Sequence, residues 1–219
     1  MKISTRTAQV LKNFSTINQS LLFKPGKTIT TISPQKTILA KANVDEEFDK
    51  QFAIFDLSRF LGVMSLFNEP EVKLEDKFAT IKDNNQKVNY TYADPSMIVV
   101  PPDKNINMAE AEISFTLTPE CLSRVIKAMS VLNTPEIAVV GKDGSISIET
   151  FDSKNATSDN FSVHVGATSH TFKMVFKVEN IKLMPGKYEV KISRKGISHF
   201  KGEDVEYWIT TESTSVFEQ

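Results

Sequence analysis

Gly26-Lys27-Thr28 has the residue types that close a phosphate-binding P-loop. A P-loop holds phosphate with the backbone amides of a glycine-rich loop, and it requires a further glycine five positions before the last one. The chain has Leu21 at that position. We therefore interpret the segment as a turn, and no nucleotide site is predicted there.

Residues that bind zinc or act as nucleophiles are few in this sequence. Its only cysteine, Cys121, has no zinc-type spacing with the histidines His164, His170 and His199. Cys121 falls in the first turn of a predicted helix, where a structural role is more common than nucleophilic catalysis. No serine-hydrolase, zinc-protease or dinucleotide-binding motif occurs. The sequence thus predicts no enzyme, no metal site and no cofactor.

Basic residues on the outward faces of predicted helices are the remaining candidates for chemistry, which would be the binding of phosphate. Because a helix turns by about 100° per residue, these side chains fall opposite the apolar stripe of their own helix, most clearly in the first three helices. The candidates are Lys12, Arg59, Arg124, Lys127, Lys177 and Lys182. For any one of them, simple solvation is the more common explanation. Their recurrence in both halves of the chain favours a shared partner.

The overall charge does not attract a polyanion, because 26 basic residues face 27 acidic ones and the net charge is −1. Acidic residues cluster in predicted loops and strands, so positive charge can be concentrated on the helices. No helix carries the pattern of Asn, Gln and Arg that reads base edges. Any binding to nucleic acid is therefore expected to use phosphates, without sequence preference.

Three helices that position these cations are predicted from their caps and apolar stripes. The first runs from Ser4 to Ile17, and Asp56 opens the second. Thr118-Pro119-Glu120 is a strong start for the third, with a threonine cap and a proline at the first helical position. Its predicted buried stripe is Leu122, Val125, Ile126 and Met129. A fourth, short helical piece is predicted from Val178 to Met184.

Both halves of the chain repeat the order helix, strands, short helix, strands. This repetition favours an internal duplication over a coincidence between two unrelated α+β segments. We predict an α+β fold with an N-terminal domain at 1–93, a connector at 94–110 and a C-terminal domain at 111–219. The connector combines prolines with the apolar run Met97-Ile-Val-Val100, which indicates an extended segment on the surface.

Membrane and secretion signals are missing from the sequence. No apolar run approaches the roughly 18 residues that span a bilayer, and no apolar stretch follows Met1–Thr7. An intracellular protein without a membrane partner is expected.

Several motifs, in this order and spacing, resemble the sliding clamp of T-even-type bacteriophages, the processivity factor of their DNA polymerase. They are Val10-Leu-Lys-Asn-Phe14, Phe60-Leu-Gly62, Ala93-Asp-Pro-Ser96, Met184-Pro-Gly-Lys-Tyr188 and Phe200-Lys-Gly-Glu203. The resemblance covers nearly the whole chain. It implies two similar clamp domains per chain and a homotrimer closed head to tail, with helices lining a ring and antiparallel sheets outside.

The resemblance also implies partners and a location. These are duplex DNA inside the ring, the phage DNA polymerase, a clamp loader and the late transcription machinery, in the cytoplasm of the infected bacterial cell. The basic helix faces would then meet DNA. Partner peptides of clamps bind beside the connector, which makes Met97, Val99, Val100 and Pro101 candidates for the wall of that groove. The alternative is that these four residues are ordinary core residues.

Two functions from different classes remain after this reasoning. The first is a DNA-encircling processivity factor that catalyses nothing. The second is an α+β module that binds protein peptides and does not contact DNA.

Overall fold

A computed structural model of the chain describes residues 1–103, 108 and 110–218. The chain divides into two compact units, Met1–Lys104 and Asn105–Gln219. Each unit contains α-helix and antiparallel strands. Part of the predicted connector, residues 104–107 and 109, lies outside the described residues.

The first unit begins with a helix and continues mainly as short strands. Its elements are α1 (Thr5–Ser15), β1 (Leu21–Phe23), β2 (Gly26–Ile32), β3 (Ile38–Phe48), β4 (Phe52–Ile54), α2 (Leu57–Met64), β5 (Glu71–Leu74), β6 (Phe78–Lys82) and β7 (Lys87–Thr91). Strand β1 pairs with β4, β2 pairs with β3, and β5, β6 and β7 form a meander, all antiparallel. A 3-10 turn at Pro95–Met97 follows.

The second unit repeats the combination of an α-helix with antiparallel strands. Its elements are β8 (Ile113–Leu117), α3 (Pro119–Leu132), β9 (Glu136–Lys142), β10 (Ser145–Phe151), β11 (Phe161–Ala167), β12 (Phe172–Lys177), β13 (Tyr188–Ser193), β14 (Ile197–Lys201), β15 (Val205–Thr210) and β16 (Val216–Phe217). One run of neighbouring strands is β8-β13-β14-β15, and a five-stranded sheet has the order β11-β10-β9-β12-β16. Asp143 and Gly144, with φ angles of 51° and 81°, make the tight turn between β9 and β10.

The three helices begin where their capping residues predicted. The Ser4 hydroxyl accepts a hydrogen bond from the Thr7 amide at 3.1 Å, and Asp56 accepts one from the Arg59 amide at 2.8 Å. Thr118 accepts from the Cys121 amide at 3.2 Å. Each cap satisfies an amide that has no partner within the helix.

The predicted helix from Val178 to Met184 is wrong. Only a 3-10 turn, Val178–Asn180, forms there, and Ile181 leaves helical geometry with φ −85° and ψ 79°. No side chain caps the start of the turn. Pro185 follows closely, and its ring disfavours helical geometry in the residue before it.

The buried stripe of α3 is narrower than predicted, because Ile126 is 38% exposed. Leu122, Val125 and Met129 are buried. At about 100° per residue, Ile126 projects well to one side of the direction that these three residues share. One more apolar residue is thus available on the surface of the helix.

Two strands, β14 and β16, were not predicted from the sequence. In β14 the buried positions are Ser198 and Phe200, so a polar residue stands where an apolar one is expected. The Ser198 hydroxyl is satisfied by the Ile209 carbonyl at 2.7 Å. Strand β16 has only two residues and pairs with Phe172 and Lys173 of β12.

Across the part of the chain that the structure describes, no helix is long and apolar enough to cross a membrane. The same residues include no cluster of three or more His, Cys, Asp or Glu side chains that could hold a metal ion.

Candidate functional site

Helix α1 buries Val10, Leu11 and Phe14 and leaves Lys12 exposed on the opposite side. The start of the helix is fixed from outside, since Glu46 on β3 accepts hydrogen bonds from the Ser4 amide and the Thr7 hydroxyl. The negative charge of this carboxylate also interacts favourably with the positive end of the helix dipole. Lys12 has no ion-pair partner among the described residues, so its charge is open to an external anion.

Helix α2 exposes one basic residue with apolar residues beyond its ends. Arg59 and Gly62 are exposed on the helix itself, and Phe55, before the Asp56 cap, and Leu66, after the last helical residue Met64, are exposed as well. Phe55 is 56% exposed and Leu66 is 65% exposed. Arg59 is thus an exposed cation that has no ion-pair partner in the described part of the chain, with an exposed apolar residue beyond each end of its helix.

Helix α3 carries two exposed cations, Arg124 and Lys127. Val131, near the end of the helix, is 71% exposed. Partial burial raises the pKa of the Cys121 thiol, and the nearby Arg124 only partly offsets this effect. A raised pKa leaves little thiolate at neutral pH, which agrees with a structural cysteine.

Four of the six predicted phosphate-binding residues share the same environment. They are exposed on a helix and have no ion-pair partner in the described ranges 1–103, 108 and 110–218; they are Lys12, Arg59, Arg124 and Lys127. Several cations on strands and in loops differ from them. Lys73 lies 2.8 Å from Glu75, for example, and Arg194 lies 3.2 Å from Glu112.

The other two predicted residues do not lie on a helix. Lys177 ends β12 and lies 3.9 Å from Glu212. Lys182 follows the 3-10 turn and is half-buried. Because the predicted fourth helix does not form, these two lysines do not belong to the basic helix faces.

The connector residues predicted to wall a groove lie on the surface. Met97 is 72% exposed, Val99 40% and Val100 41%, whereas Pro101 is half-buried. Exposed apolar side chains in an extended segment can be covered by a partner. Their role in binding stays a prediction.

Asn18, which sequence reasoning missed, fixes the connector. Its side chain is 6% exposed. The Nδ2 group donates to the Ile32 carbonyl at 3.0 Å and to the Val99 carbonyl at 3.1 Å. The Oδ1 atom accepts from the amide and the hydroxyl of Ser20 at 2.9 Å and 3.1 Å. The only sequence signal is a polar residue directly after Ile17, the last apolar position of the predicted first helix.

A second attachment lies further along the connector, where the Lys24 ammonium pairs with Asp103. Both groups are largely exposed. Because exposed ion pairs contribute little, the buried bonds of Asn18 are the stronger restraint on the connector.

Two family models match the chain, one in each half. Residues 3–100 match the DNA polymerase processivity factor, and residues 114–213 match the C-terminal part of the gp45 sliding clamp. The sliding clamp of Vibrio phage KVP40 is 31% identical over 220 residues, covering 97% of this chain and 100% of the relative. The sliding clamp of Enterobacteria phage T4 is 32% identical, covering 98% of each.

The chain belongs to the phage sliding clamp family. The predicted function as a sliding clamp and DNA polymerase processivity factor is confirmed. Proteins of this family are processivity factors rather than enzymes, which agrees with the expectation from the missing motifs. Of the two functions left open by the sequence, the first is thus correct.

Solved structures confirm the predicted α+β clamp fold with two domains per chain. A. fulgidus PCNA, solved with the C-terminal region of FEN-1, matches with a TM-score of 0.71 at 13% identity, covering 95% of the clamp and 96% of that chain. The Helicobacter pylori beta clamp bound to a DNA ligase peptide matches with a TM-score of 0.70 at 15% identity, covering 97% of the clamp and 65% of that chain. At such low identities, these likenesses concern the fold alone.

Proposed function

We propose that the clamp closes as a homotrimeric ring around duplex DNA and tethers the phage DNA polymerase during synthesis. The observation that carries this proposal is that all three described helices expose cations with no ion-pair partner among the described residues, at Lys12, Arg59, Arg124 and Lys127. In the ring, these helices line the hole and the sheets lie outside.

Cations without an internal ion pair suit a partner that must be bound without being held at one position. A phosphate can approach them without displacing a carboxylate, so no internal ion pair is lost on binding. Contacts with phosphates do not depend on base sequence, and they weaken as the salt concentration rises. The ring can therefore stay on DNA and still move along it.

Lys177 and Lys182 are proposed as secondary DNA contacts. A phosphate would have to compete with Glu212 for Lys177. We therefore expect these two lysines to contribute less than the four cations on helices.

Two sheet edges support head-to-tail closure of the ring. Strand β7 ends the meander of the first unit, and β11 ends the five-stranded sheet of the second. Both are edge strands within the part of the chain that the structure describes. An open edge presents unpaired backbone groups that can pair with another chain. We propose that β7 of one copy pairs with β11 of the next, as a heterologous interface that closes after three copies.

Exposed apolar side chains on or next to the helices add to this proposed interface. Phe55 and Leu66 flank α2, and Val131 lies at the end of α3. An interface between copies would remove them from water, with a gain of roughly 25 cal/mol per Å² of apolar surface.

The connector at 94–110, between domains at 1–93 and 111–219, is the proposed docking site for partner peptides. Its wall would be Met97, Val99, Val100 and Pro101, held in place by Asn18. The A. fulgidus and H. pylori proteins were solved with segments of other proteins bound. For this clamp, we propose the phage DNA polymerase, a clamp loader and the late transcription machinery as partners, in the cytoplasm of the infected bacterial cell.

Reversal of charge on two helices tests the DNA contact. The triple variant Lys12→Glu, Arg124→Glu, Lys127→Glu should fail to stimulate the polymerase on primed circular DNA and should be lost from that DNA after loading. Its mass by light scattering should equal that of the unmodified clamp.

A matched control reverses three cations that are also exposed but lie on strands, in the variant Lys27→Glu, Lys142→Glu, Lys201→Glu. This control changes the net charge by the same amount and should keep most of the stimulation. Equal stimulation by the helix variant and the unmodified clamp would refute the proposed role of the helices.

A further inference from the structure

The outer edge of β12 is covered by a segment of the chain that returns to it after β15. The Glu218 amide donates to the carbonyl of Thr171, directly before β12, at 2.9 Å, and Val216 pairs with Lys173. Alternate residues of an antiparallel strand direct their backbone groups to the same side. Thr171 and Lys173 therefore direct these groups to the returning segment and not to β9.

The same segment covers Val175, partly with a side chain. The Glu212 amide donates to the Val175 carbonyl at 2.8 Å, and the Val175 amide donates to the Ser215 hydroxyl at 2.9 Å. The ring of Phe217 stacks on the ring of Phe172, with the two centroids 6.0 Å apart. We call the segment Glu212–Glu218 the edge cover, because it occupies three outward-facing residues of this edge in a row.

The first unit covers one edge of its meander in a similar way. Lys2 forms a bridge with Glu71 of β5, and the Val72 amide donates to the Met1 carbonyl at 2.8 Å. The strand at the other edge, β7, has β6 as its only neighbour in the sheet among the described residues. Each unit thus has one covered edge and one open edge, which is β7 in the first unit and β11 in the second.

The open edge of β7 matches the edge that the cover occupies. The Tyr92 amide donates to the Lys77 carbonyl at 3.0 Å, so Tyr92 and every second residue before it direct their backbone groups toward β6. Lys87, Asn89 and Thr91 therefore direct theirs to the open side. These are three outward-facing residues in a row, as on the outer edge of β12, so β7 could pair with an uncovered β12 as well as with β11.

The two edges of the five-stranded sheet differ in length. Strand β11 has seven residues, whereas β16 has two. A long open edge strand is a template for pairing with another chain, and natural proteins blunt unwanted edges with very short strands. Without the cover, the sheet would expose β12, in which Phe172, Met174, Val175 and Phe176 are buried apolar residues.

We propose that the edge cover determines which strand accepts β7 of another copy. With the cover in place, β11 is the acceptor in the five-stranded sheet. Without it, β7 of a further copy also pairs with β12, and the copies form open chains in place of a closed ring. This inference rests on the proposed contact between β7 and β11, and it adds the reason why that contact is selected.

The test opens the edge cover of the full-length clamp with the double variant Val216→Pro, Phe217→Ala. Proline removes the amide that pairs with Lys173, and alanine removes the stacked ring. Amide exchange should speed up by roughly tenfold or more at Val175 and stay unchanged at Ile148, on the central strand β10. The mass by light scattering should rise to about twice that of the unmodified clamp or more, and it should increase with concentration.

A milder variant, Ser215→Ala, removes one hydrogen bond of the cover and should shift the mass in the same direction at higher concentration. It replaces the double variant if fast exchange at Ile148 shows that the double variant unfolds. Ser213→Ala, a change of an exposed side chain in the same segment, is the matched control and should keep the normal mass.

Asn89→Pro identifies the strand that β12 accepts. Proline at an outward-facing position blocks pairing on the open side of β7 and leaves the bonds to β6 in place. Added to the double variant, it should abolish the increase in mass. Asn89→Pro alone tests the proposed ring and should give particles smaller than the unmodified clamp. A normal mass for Asn89→Pro alone would refute the contact through β7, whereas a small mass without growth of the double variant would refute the edge cover alone.

Three results would overturn the proposal. The double variant would keep the normal mass although exchange at Val175 has sped up. Exchange at Val175 would stay slow, which would show that Val216 and Phe217 do not hold the cover in place. Alternatively, growth would continue after the addition of Asn89→Pro, which would show that β7 is not the strand that β12 accepts.

Discussion

Asn18 shows how one buried amide can determine where a surface segment lies. Both donor positions and both acceptor positions of its side chain are used, and only one of the four bonds reaches the connector. The connector between Val99 and Asp103 has no regular secondary structure. The position of the proposed peptide groove therefore depends on a residue that would not itself touch the peptide.

Asn18→Ala should lower the free energy of unfolding by about 2 kcal/mol, because buried carbonyl and amide groups lose their partners. Hydrogen exchange should speed up at Val99 and Val100, and a peptide bound at the connector should dissociate faster. Denaturation by urea and exchange mass spectrometry measure these effects.

Asn43→Ala provides the control, since Asn43 is an exposed asparagine whose side chain has one described hydrogen bond, accepted from the Thr28 hydroxyl. It should change stability by less than about 0.5 kcal/mol. If exchange at Val99 were equal in the two variants, Asn18 would not hold the connector.

At the scale of elements, the helices were predictable because their capping residues and apolar stripes are close together in the sequence. Ser4, Asp56 and Thr118 each cap a helix whose apolar residues follow at helical spacing. The segment from Val178 has apolar residues at helical spacing but no capping side chain, and it forms only a 3-10 turn. Strand β14 was missed for another reason, since the partner of buried Ser198 is a carbonyl on a different strand that no local pattern shows.

The candidate site was predictable to a similar degree. The prediction from helical spacing that Lys12, Arg59, Arg124 and Lys127 lie on the outward faces of helices is confirmed by their exposure. The sequence could not place Lys177 and Lys182 or find Asn18, because these depend on where the chain returns after a strand.

Thr118→Ala tests the cap of α3, the helix that carries two of the proposed DNA contacts. Loss of the bond to the Cys121 amide should cost about 1 kcal/mol of stability. Ser123→Ala, an exposed change in the same helix, should have almost no effect. Thermal unfolding by circular dichroism compares the two, and equal melting temperatures would show that the cap is not needed.

At the scale of the whole molecule, the proposed ring requires copies of the chain to meet through β7 and β11. The mass by light scattering should then be three times the 24.6 kDa of one chain. Dilution should lower this mass if closure is weak, but a monomer at every concentration would contradict the ring.

Val131→Glu should shift this equilibrium toward smaller species, because a charge would be buried between copies at a cost of several kcal/mol. Val216→Glu is the matched control, since Val216 is also an exposed valine, at 57%, but lies on β16, at the opposite edge of the five-stranded sheet from β11. A normal mass for Val131→Glu would remove this residue from the interface.

The free cations of the helices also bear on how fast a closed ring could travel. A lysine held by a carboxylate must break that contact each time it takes a new phosphate, and each break adds to the barrier for a step along the duplex. Lys12, Arg59, Arg124 and Lys127 have no such contact among the described residues, so each can pass from one phosphate to the next by exchanging only water and counterions. Friction against DNA should then be set mainly by the solvent between the two surfaces, and the protein would need no rearrangement as it moves.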